Sequence, residues 1–128
     1  MNAYLRGVNY CLAEGVRTNE DLVRMNPSWD AQKIYEKTGI RRRPVAGPEE
    51  TASDLAFRAA ERLLNELAFD RTQVDALIFC TQSPDYFLPT SACLLQHRLG
   101  LPTACGAFDV NLGCSGFTYG LWLARSLL

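Results

Sequence analysis

An alternation of helix-like and strand-like segments constrains the fold of this chain more than any other feature. Leucines and alanines recur every four residues in 51–67, which predicts an amphipathic helix. Two mostly apolar runs, 74–83 and 104–112, predict buried strands, and the helix-like segments 90–100 and 115–128 follow them. Helices that alternate with buried strands are typical of an α/β layered fold, in which helices cover a sheet.

The first fifty residues carry shorter signals. Residues 4–12 predict a first strand with a glycine break, and residues 41–50, with two prolines, predict a loop or an edge strand. Two short helices are predicted over 18–25 and 30–39, since each begins with a threonine or aspartate that can cap a helix.

Composition argues against several classes of function. The chain has 128 residues, of which 48% are hydrophobic and 21% charged, as expected for one compact globular domain. Its formal net charge of -1 offers no electrostatic attraction to nucleic acid or to an anionic membrane. No apolar run approaches the roughly 20 residues of a membrane helix, and the N-terminus lacks the pattern of a signal peptide. We expect neither a nucleic-acid partner nor a membrane partner.

The cysteines indicate a reducing compartment and no metal site. There are five, at an odd count and without a C-x-x-C pair: Cys11, Cys80, Cys93, Cys105 and Cys114. With one histidine in the chain, a Cys/His zinc site is not expected. Scattered cysteines in apolar surroundings predict a cytoplasmic protein.

Cys114 has the surroundings of a nucleophile. It lies between a strand-like run and a helix-like run, with Gly113 before it and Ser115 and Gly116 after it. Small neighbours permit a sharp turn, and a helix N-terminus favours a thiolate through its free N–H groups and its dipole. The same N–H groups can stabilise an oxyanion formed on a thioester. The local pattern is equally compatible with a structural cysteine packed under a turn.

Two other clusters have ordinary explanations beside functional ones. Cys93 and His97 are four residues apart on a predicted helix and share a face, but such pairs are common on amphipathic helices. Lys37 and the arginines at 41–43 form the only basic cluster of the sequence. They could hold a phosphate-bearing ligand such as coenzyme A, or simply form a solvated face.

Several segments together resemble a known family. They occur in the same order, at 18–25, 37–43, 48–64, 74–101 and 107–121. Over nearly its whole length the chain resembles the N-terminal portion of β-ketoacyl-acyl-carrier-protein synthase III, a condensing enzyme of the thiolase fold. The resemblance implies a thiolase-like α/β layered fold, N-terminal half only, with residues 1–128 as one incomplete domain. The apolar end at Leu127 and Leu128, without a cap, also predicts that the sequence is a fragment of a longer protein.

The resemblance also implies a reaction. Cys114 would take an acyl group from acyl-CoA, the substrate, and its backbone N–H would form part of the oxyanion hole. The acyl group would then condense with the carbanion formed by decarboxylation of malonyl-ACP, without a cofactor. The histidine and asparagine that promote decarboxylation in the family lie beyond residue 128. The chain by itself is therefore expected to be inactive in condensation, although the full-length protein would be a homodimer that binds acyl carrier protein.

Three further positions follow from the resemblance and differ from the family's usual residues. Lys33 and Lys37 occupy the mouth of the coenzyme A site, where tryptophan and arginine are common, and Trp29 falls one turn earlier. Leu88 occupies the position of a residue, often phenylalanine, that enters the acyl pocket of the partner subunit. The smaller leucine predicts a starter unit that is not strictly acetyl.

Two alternative functions remain open on the sequence. The chain could be a complete, non-catalytic partner subunit or binding module of a condensing enzyme. It could also be a thioesterase or another hydrolase that uses Cys114. A hydrolase needs a base that activates water, and His97, the one histidine, lies on a helix before the cysteine.

Overall fold

The structure is a computed structural model that describes residues 3–128. Its strands are β1 (Gly15–Thr18), β2 (Arg42–Val45), β3 (Ala76–Cys80) and β4 (Gly106–Val110). Its α-helices are α1 (Asn19–Met25), α2 (Ala31–Thr38), α3 (Ala52–Glu66), α4 (Ser91–Arg98) and α5 (Gly116–Leu127), with one 3₁₀ turn at Arg71–Gln73. The chain divides into two compact units. We call Leu12–Glu50 the smaller unit, and the remaining segments, up to Cys11 and from Thr51 onward, the larger unit.

The larger unit is built on a parallel strand pair with helices packed against it. Strands β3 and β4 pair in parallel, from Ala76 opposite Gly106 to Cys80 opposite Val110. Side chains of β3, of α4 and of the segment between α4 and β4 form the buried apolar core, namely Phe79, Ala92, Leu95, Leu99, Leu101 and Cys105. Partly buried residues of α3, such as Phe57, pack against this core. Apolar burial therefore fixes the sheet and its helices relative to each other.

Helix α4 receives its N-terminal cap from a strand rather than from its own first residue. The N-cap Thr90 makes no side-chain capping bond. Instead the carboxylate of Asp109, in β4, accepts hydrogen bonds from the backbone N–H groups of Ser91 (3.0 Å) and Ala92 (2.7 Å). A carboxylate at this end also complements the helix dipole. Asp109 thus ties the start of α4 to β4.

The smaller unit is organised around a buried polar side chain. Strands β1 and β2 form an antiparallel pair, and α1 and α2 lie between them in the sequence. Asn19 is 3% exposed, and its side-chain amide donates to the carbonyls of Ala31 (3.3 Å) and Ile40 (2.8 Å). The Nη2 group of Arg43 donates to the side-chain oxygen of Asn19 at 2.8 Å. One asparagine therefore joins α1 to α2, to the segment after α2, and to β2.

Most predicted elements are confirmed. All five helices occur within a residue or two of their predicted bounds, and strands lie within 74–83 and 104–112. The loop or edge strand predicted over 41–50 contains β2. The single incomplete domain over 1–128 stays a prediction. Among the described residues, no helix has both the length and the apolar character needed to cross a membrane.

The first predicted strand is wrong. Residues 4–12 have no regular secondary structure, because no strand of the described chain pairs with them. The segment instead passes close to α3, where a Cβ atom on Gly7 would lie 2.9 Å from a methyl carbon of Leu63. The real first strand, β1, escaped prediction because its sequence, Gly-Val-Arg-Thr, has a single large apolar residue.

Candidate active site

Cys114 lies in a tight turn between a parallel strand and a helix. The turn consists of residues 111–115, between the end of β4 and the start of α5. The carbonyl of Gly113 accepts a hydrogen bond from the N–H of Gly116 at 2.8 Å, which closes the turn around Cys114. The Cys114 side chain is exposed. A cysteine packed beneath the turn would be buried instead, and the nucleophilic role of Cys114 stays a prediction.

Two side chains from the end of β3 and the residues just after it lie against this turn. A Cβ atom on Gly116 would lie 2.3 Å from the Sγ atom of Cys80, and that thiol donates to the carbonyl of Leu112 at 3.7 Å. A Cβ atom on Gly113 would lie 3.0 Å from the side-chain carboxamide of Gln82. Each glycine therefore leaves room for a neighbouring side chain, in addition to permitting a sharp turn. Sequence reasoning placed Cys80 in the core and did not single out Gln82.

Parallel pairing explains why β3 reaches the turn. The carboxyl ends of parallel strands lie at the same edge of a sheet, which is where ligands bind in open α/β folds. The ladder continues one residue beyond β3, since the N–H of Thr81 donates to the carbonyl of Val110 at 3.1 Å. An open cavity of about 640 Å³ runs along the length of β3, between β3 and α5, and at this edge its walls include Cys80, Gly116 and Phe117.

Leu88 projects from a loop whose two ends are fixed. The backbone N–H of Asp85 donates to the hydroxyl of Ser91 at 3.0 Å, and the Asp85 carboxylate accepts a hydrogen bond from the Ser53 hydroxyl. Between these anchors, Phe87 is 94% exposed and Leu88 is 85% exposed. The loop thus presents large apolar side chains to the surroundings rather than to the core of the larger unit.

Lys33 and Lys37 lie together on α2 in the smaller unit. Both are exposed, and with Trp29 and Ile34 they line a shallow cavity of about 380 Å³. The tryptophan that falls one turn earlier in the sequence therefore lines the same cavity as the two lysines. This cavity combines an aromatic wall with two cations.

The neighbouring arginines are partly engaged within the protein. The guanidinium of Arg41 stacks over the ring of Tyr35 at 4.0 Å, and Arg43 binds Asn19. The predicted basic cluster is thus divided between a stacked side chain, a structural one and the exposed Arg42.

The other cysteines do not form a reactive group with the histidine. The Cys93 thiol lies 3.4 Å from the Thr90 hydroxyl and 3.7 Å from the carbonyl of Ala107, and no hydrogen bond joins it to His97 within residues 3–128. Burial raises the pKa of the Cys105 thiol, and the negative charge of Asp75 adds to this effect. In that same range no group of three or more His, Cys, Asp or Glu side chains could hold a metal ion.

Comparison with known proteins shows which solved structures share this fold. The fold is the thiolase-like α/β fold predicted from the sequence, although the chain corresponds to little more than a third, rather than half, of the chains that it resembles. A crystal structure of 3-oxoacyl-(acyl-carrier-protein) synthase III superposes with a TM-score of 0.86 at 56% identity, covering 95% of this chain and 36% of that chain. The synthase III of Thermus thermophilus superposes with a TM-score of 0.87 at 36% identity, covering 98% and 38%. No protein-family model matches the chain.

The curated relatives reported for this chain are enzymes of one kind. Over nearly its whole length the chain is similar to the N-terminal portion of β-ketoacyl-acyl-carrier-protein synthase III, which confirms the resemblance seen in the sequence. The enzyme of that name from Thioalkalivibrio sulfidiphilus is 45% identical over 122 residues, which are 95% of this chain and 37% of the relative. The chain thus spans little more than a third of the length of the relatives that it matches.

Proposed function

We propose that this chain supplies the nucleophile of an acyltransferase that starts fatty acid synthesis or a related polyketide. Cys114 takes an acyl group from acyl-CoA, and the full-length protein condenses that group with malonyl-ACP. The observation that carries the proposal is the exposed Cys114 at the turn between β4 and α5, held by contacts at Gly113 and Gly116. Similarity to synthase III over 95% of the chain supports it.

The first step is a thioester exchange. The Cys114 thiolate attacks the acyl carbon, the bond from that carbon to the coenzyme A sulfur breaks, and the coenzyme leaves as its thiol after protonation. The N-terminus of α5 assists this step. The Gly116 N–H is used within the turn, but Ser115 makes no side-chain capping bond, so the N–H groups of Phe117 and Thr118 have no partner in the described part of the chain. These groups stabilise the oxyanion that forms during attack.

The second step needs residues that this chain does not contain. Malonyl-ACP loses carbon dioxide, and the carbanion attacks the acyl carbon, forms a carbon–carbon bond and releases the Cys114 thiolate. We assign decarboxylation to a histidine and an asparagine outside residues 1–128. His97 and Asn111 both precede Cys114 and are not assigned this work. The chain alone would therefore be acylated without condensing anything.

The remaining assignments concern substrate and subunit contacts. Lys33 and Lys37 form the mouth of the coenzyme A site, with their ammonium groups facing its phosphates. Leu88 enters the acyl pocket of a second subunit in a homodimer, and the exposure of its loop supports this role. A leucine in place of a larger aromatic side chain leaves space for a starter longer than acetyl. The protein works in the cytoplasm, where acyl-CoA and acyl carrier protein are available.

A condensation assay on the full-length protein tests the proposal. With acyl-CoA and malonyl-ACP we expect release of carbon dioxide and formation of β-ketoacyl-ACP, and Cys114→Ala should abolish product formation. Cys93→Ala is the matched control, because Cys93 is the other exposed cysteine within residues 3–128, and it should leave the rate unchanged. Condensation that survives in the Cys114→Ala variant, or free acid as the only product, would contradict the proposal.

A further inference from the structure

Gln82 lies against the backbone that carries the proposed nucleophile. Its carboxamide carbon, nitrogen and oxygen are each 3.0 Å from the position that a Cβ atom on Gly113 would occupy. Since a carbon–carbon bond adds about 1.5 Å, the carboxamide lies within about 4.5 Å of the Gly113 Cα atom. The next Cα atom along the chain, that of Cys114, is then within about 8 Å.

The Gln82 carboxamide has no hydrogen-bond partner within residues 3–128, and the residue is exposed. The residues on either side do have hydrogen-bond partners. The N–H of Ser83 donates to the Thr81 hydroxyl at 3.0 Å, and the N–H of Thr81 donates to the carbonyl of Val110. A carboxamide can donate hydrogen bonds through nitrogen and accept them through oxygen. The edge of the sheet therefore holds a free donor and a free acceptor close to residues 111–115, which we call the nucleophile turn.

We propose that Gln82 is a substrate-binding residue that hydrogen-bonds the pantetheine arm of the acyl donor. In acyl-CoA a secondary amide follows the thioester sulfur after an ethylene spacer. When the thioester reaches Cys114, that amide lies a few ångströms from the sulfur, which is compatible with the limit of about 8 Å between the Gln82 carboxamide and the Cys114 Cα atom. An amide and a carboxamide can exchange one N–H···O bond in either direction. This inference rests on the proposed acylation of Cys114.

The contact would favour thioesters that carry the amide over those that lack it. A donor with a plain alkyl chain on sulfur offers the Gln82 carboxamide no hydrogen-bond partner, so this side chain would stay solvated. A neutral hydrogen bond formed in exchange for water changes affinity by about three- to tenfold. Gln82 would thus contribute selectivity for pantetheine thioesters at the acylation step.

The test compares two acetyl donors on the full-length protein. Acetyl-N-acetylcysteamine contains the amide after the ethylene spacer, whereas S-butyl thioacetate lacks it. For Gln82→Leu we expect kcat/KM for acylation to fall about three- to tenfold with the first donor and with acetyl-CoA, and to stay unchanged with the second. Gln73→Leu is the matched control, since Gln73 is an exposed glutamine that precedes the other end of β3, and it should change neither rate.

The other outcomes are distinct. Equal losses with both donors would mean that Gln82 supports the turn rather than binding the amide, and would overturn the inference. Unchanged rates with both, or a loss confined to acetyl-CoA, would overturn it as well. If the unmodified protein is not acylated by any donor, the proposed function itself fails. Should Gln82→Leu fold poorly by circular dichroism, Gln82→Met removes the carboxamide with an unbranched side chain and answers the same question.

Discussion

The interiors of the two units of this chain are stabilised by different kinds of interaction. The larger unit has a contiguous set of buried apolar side chains between its parallel strands and its helices, with Leu95 and Leu99 each 2% exposed. In the smaller unit, all of which the structure describes, Asn19 is the one residue classed as buried. The larger unit contains Cys114, and the smaller unit contains the cavity lined by Lys33 and Lys37.

The comparison shows how each kind of interior should respond to change. Apolar packing is non-directional, so it tolerates a substitution that keeps volume and suffers from one that leaves a cavity. A hydrogen-bonded centre is directional, and it fails when a donor is lost even if the shape is kept. Hydrogen exchange can measure the stability of each unit separately, because the protection of an amide reports local stability.

The largest loss of stability should come from a cavity in the larger unit. Leu95→Ala should lower the free energy of unfolding by about 3 kcal/mol, since a buried leucine is replaced by a small side chain. The measurement is hydrogen exchange by mass spectrometry, in which the amide exchange rates should increase most in β3, β4 and α4. Leu95→Met keeps the volume and should cost less than about 1.5 kcal/mol. Equal losses for the two variants would mean that packing does not determine stability here.

The smaller unit should be sensitive to a change that leaves volume almost untouched. Asn19→Asp keeps the oxygen that faces Arg43 but removes the amide that donates to Ala31 and Ile40. We expect a loss of about 2 kcal/mol, because the carbonyls of Ala31 and Ile40 lose their donor and face a carboxylate oxygen instead. Faster amide exchange in α1, α2 and β2 would show it. Unchanged exchange would show that shape rather than hydrogen bonding holds this unit.

The nucleophile turn offers a test in which two glycines of one helix should respond with opposite sign. Gly116→Ala should cost about 1–3 kcal/mol, since its methyl group would meet the Cys80 thiol. Gly120→Ala meets nothing within 4 Å and should stabilise the protein by about 0.5–1 kcal/mol. Thermal unfolding checks both.

The Cys80 contact can be isolated with a double variant. Adding Cys80→Ala to Gly116→Ala removes the sulfur that the methyl group meets, so the pair should be more stable than the sum of the single effects predicts. Strict additivity would show that Cys80 is not what excludes a side chain at Gly116.

The smallest expected effect concerns the capping box, which occurs once in each unit, at the start of α1 and at the start of α3. Hydrogen bonds from the backbone N–H groups of Thr51 and Thr18 lower the pKa values of Asp54 and Asp21, respectively. Because these pKa values are lower in the folded state, the stabilisation is present above about pH 4 and is lost as pH falls further. Asp54→Asn should remove part of the acid-dependent loss of protection in α3 and leave α1 unchanged. A pH dependence in α3 that Asp54→Asn does not alter would contradict this assignment.

Local signals in the sequence were enough to predict the helices. Thr51 and Asp54 lie three residues apart and form a capping box, so the start of α3 could be located without knowing anything distant. The same is true of Thr18 and Asp21 at α1. The exposed turn at Cys114 was also predictable, because glycine on one side and Ser-Gly on the other permit it locally.

Contacts between distant residues could not be predicted in this way. Asp109 caps α4 from 17 or more residues away, and the bonds that Asn19 makes span 12 to 24 residues. The reach of Gln82 to Gly113 depends on the parallel register of β3 and β4, which no local pattern specifies. The mistaken strand at 4–12 has the same origin, since a strand exists only with a partner.

Acylation of the protein is the most direct measurement. Full-length protein incubated with acyl-CoA, digested and examined by mass spectrometry should carry one acyl group, on the peptide that contains Cys114. The Cys114→Ala variant should carry none, and Cys93→Ala should be labelled like the unmodified protein. Labelling of Cys93, or an acyl group that persists in the Cys114→Ala variant, would contradict the role assigned to the turn between β4 and α5.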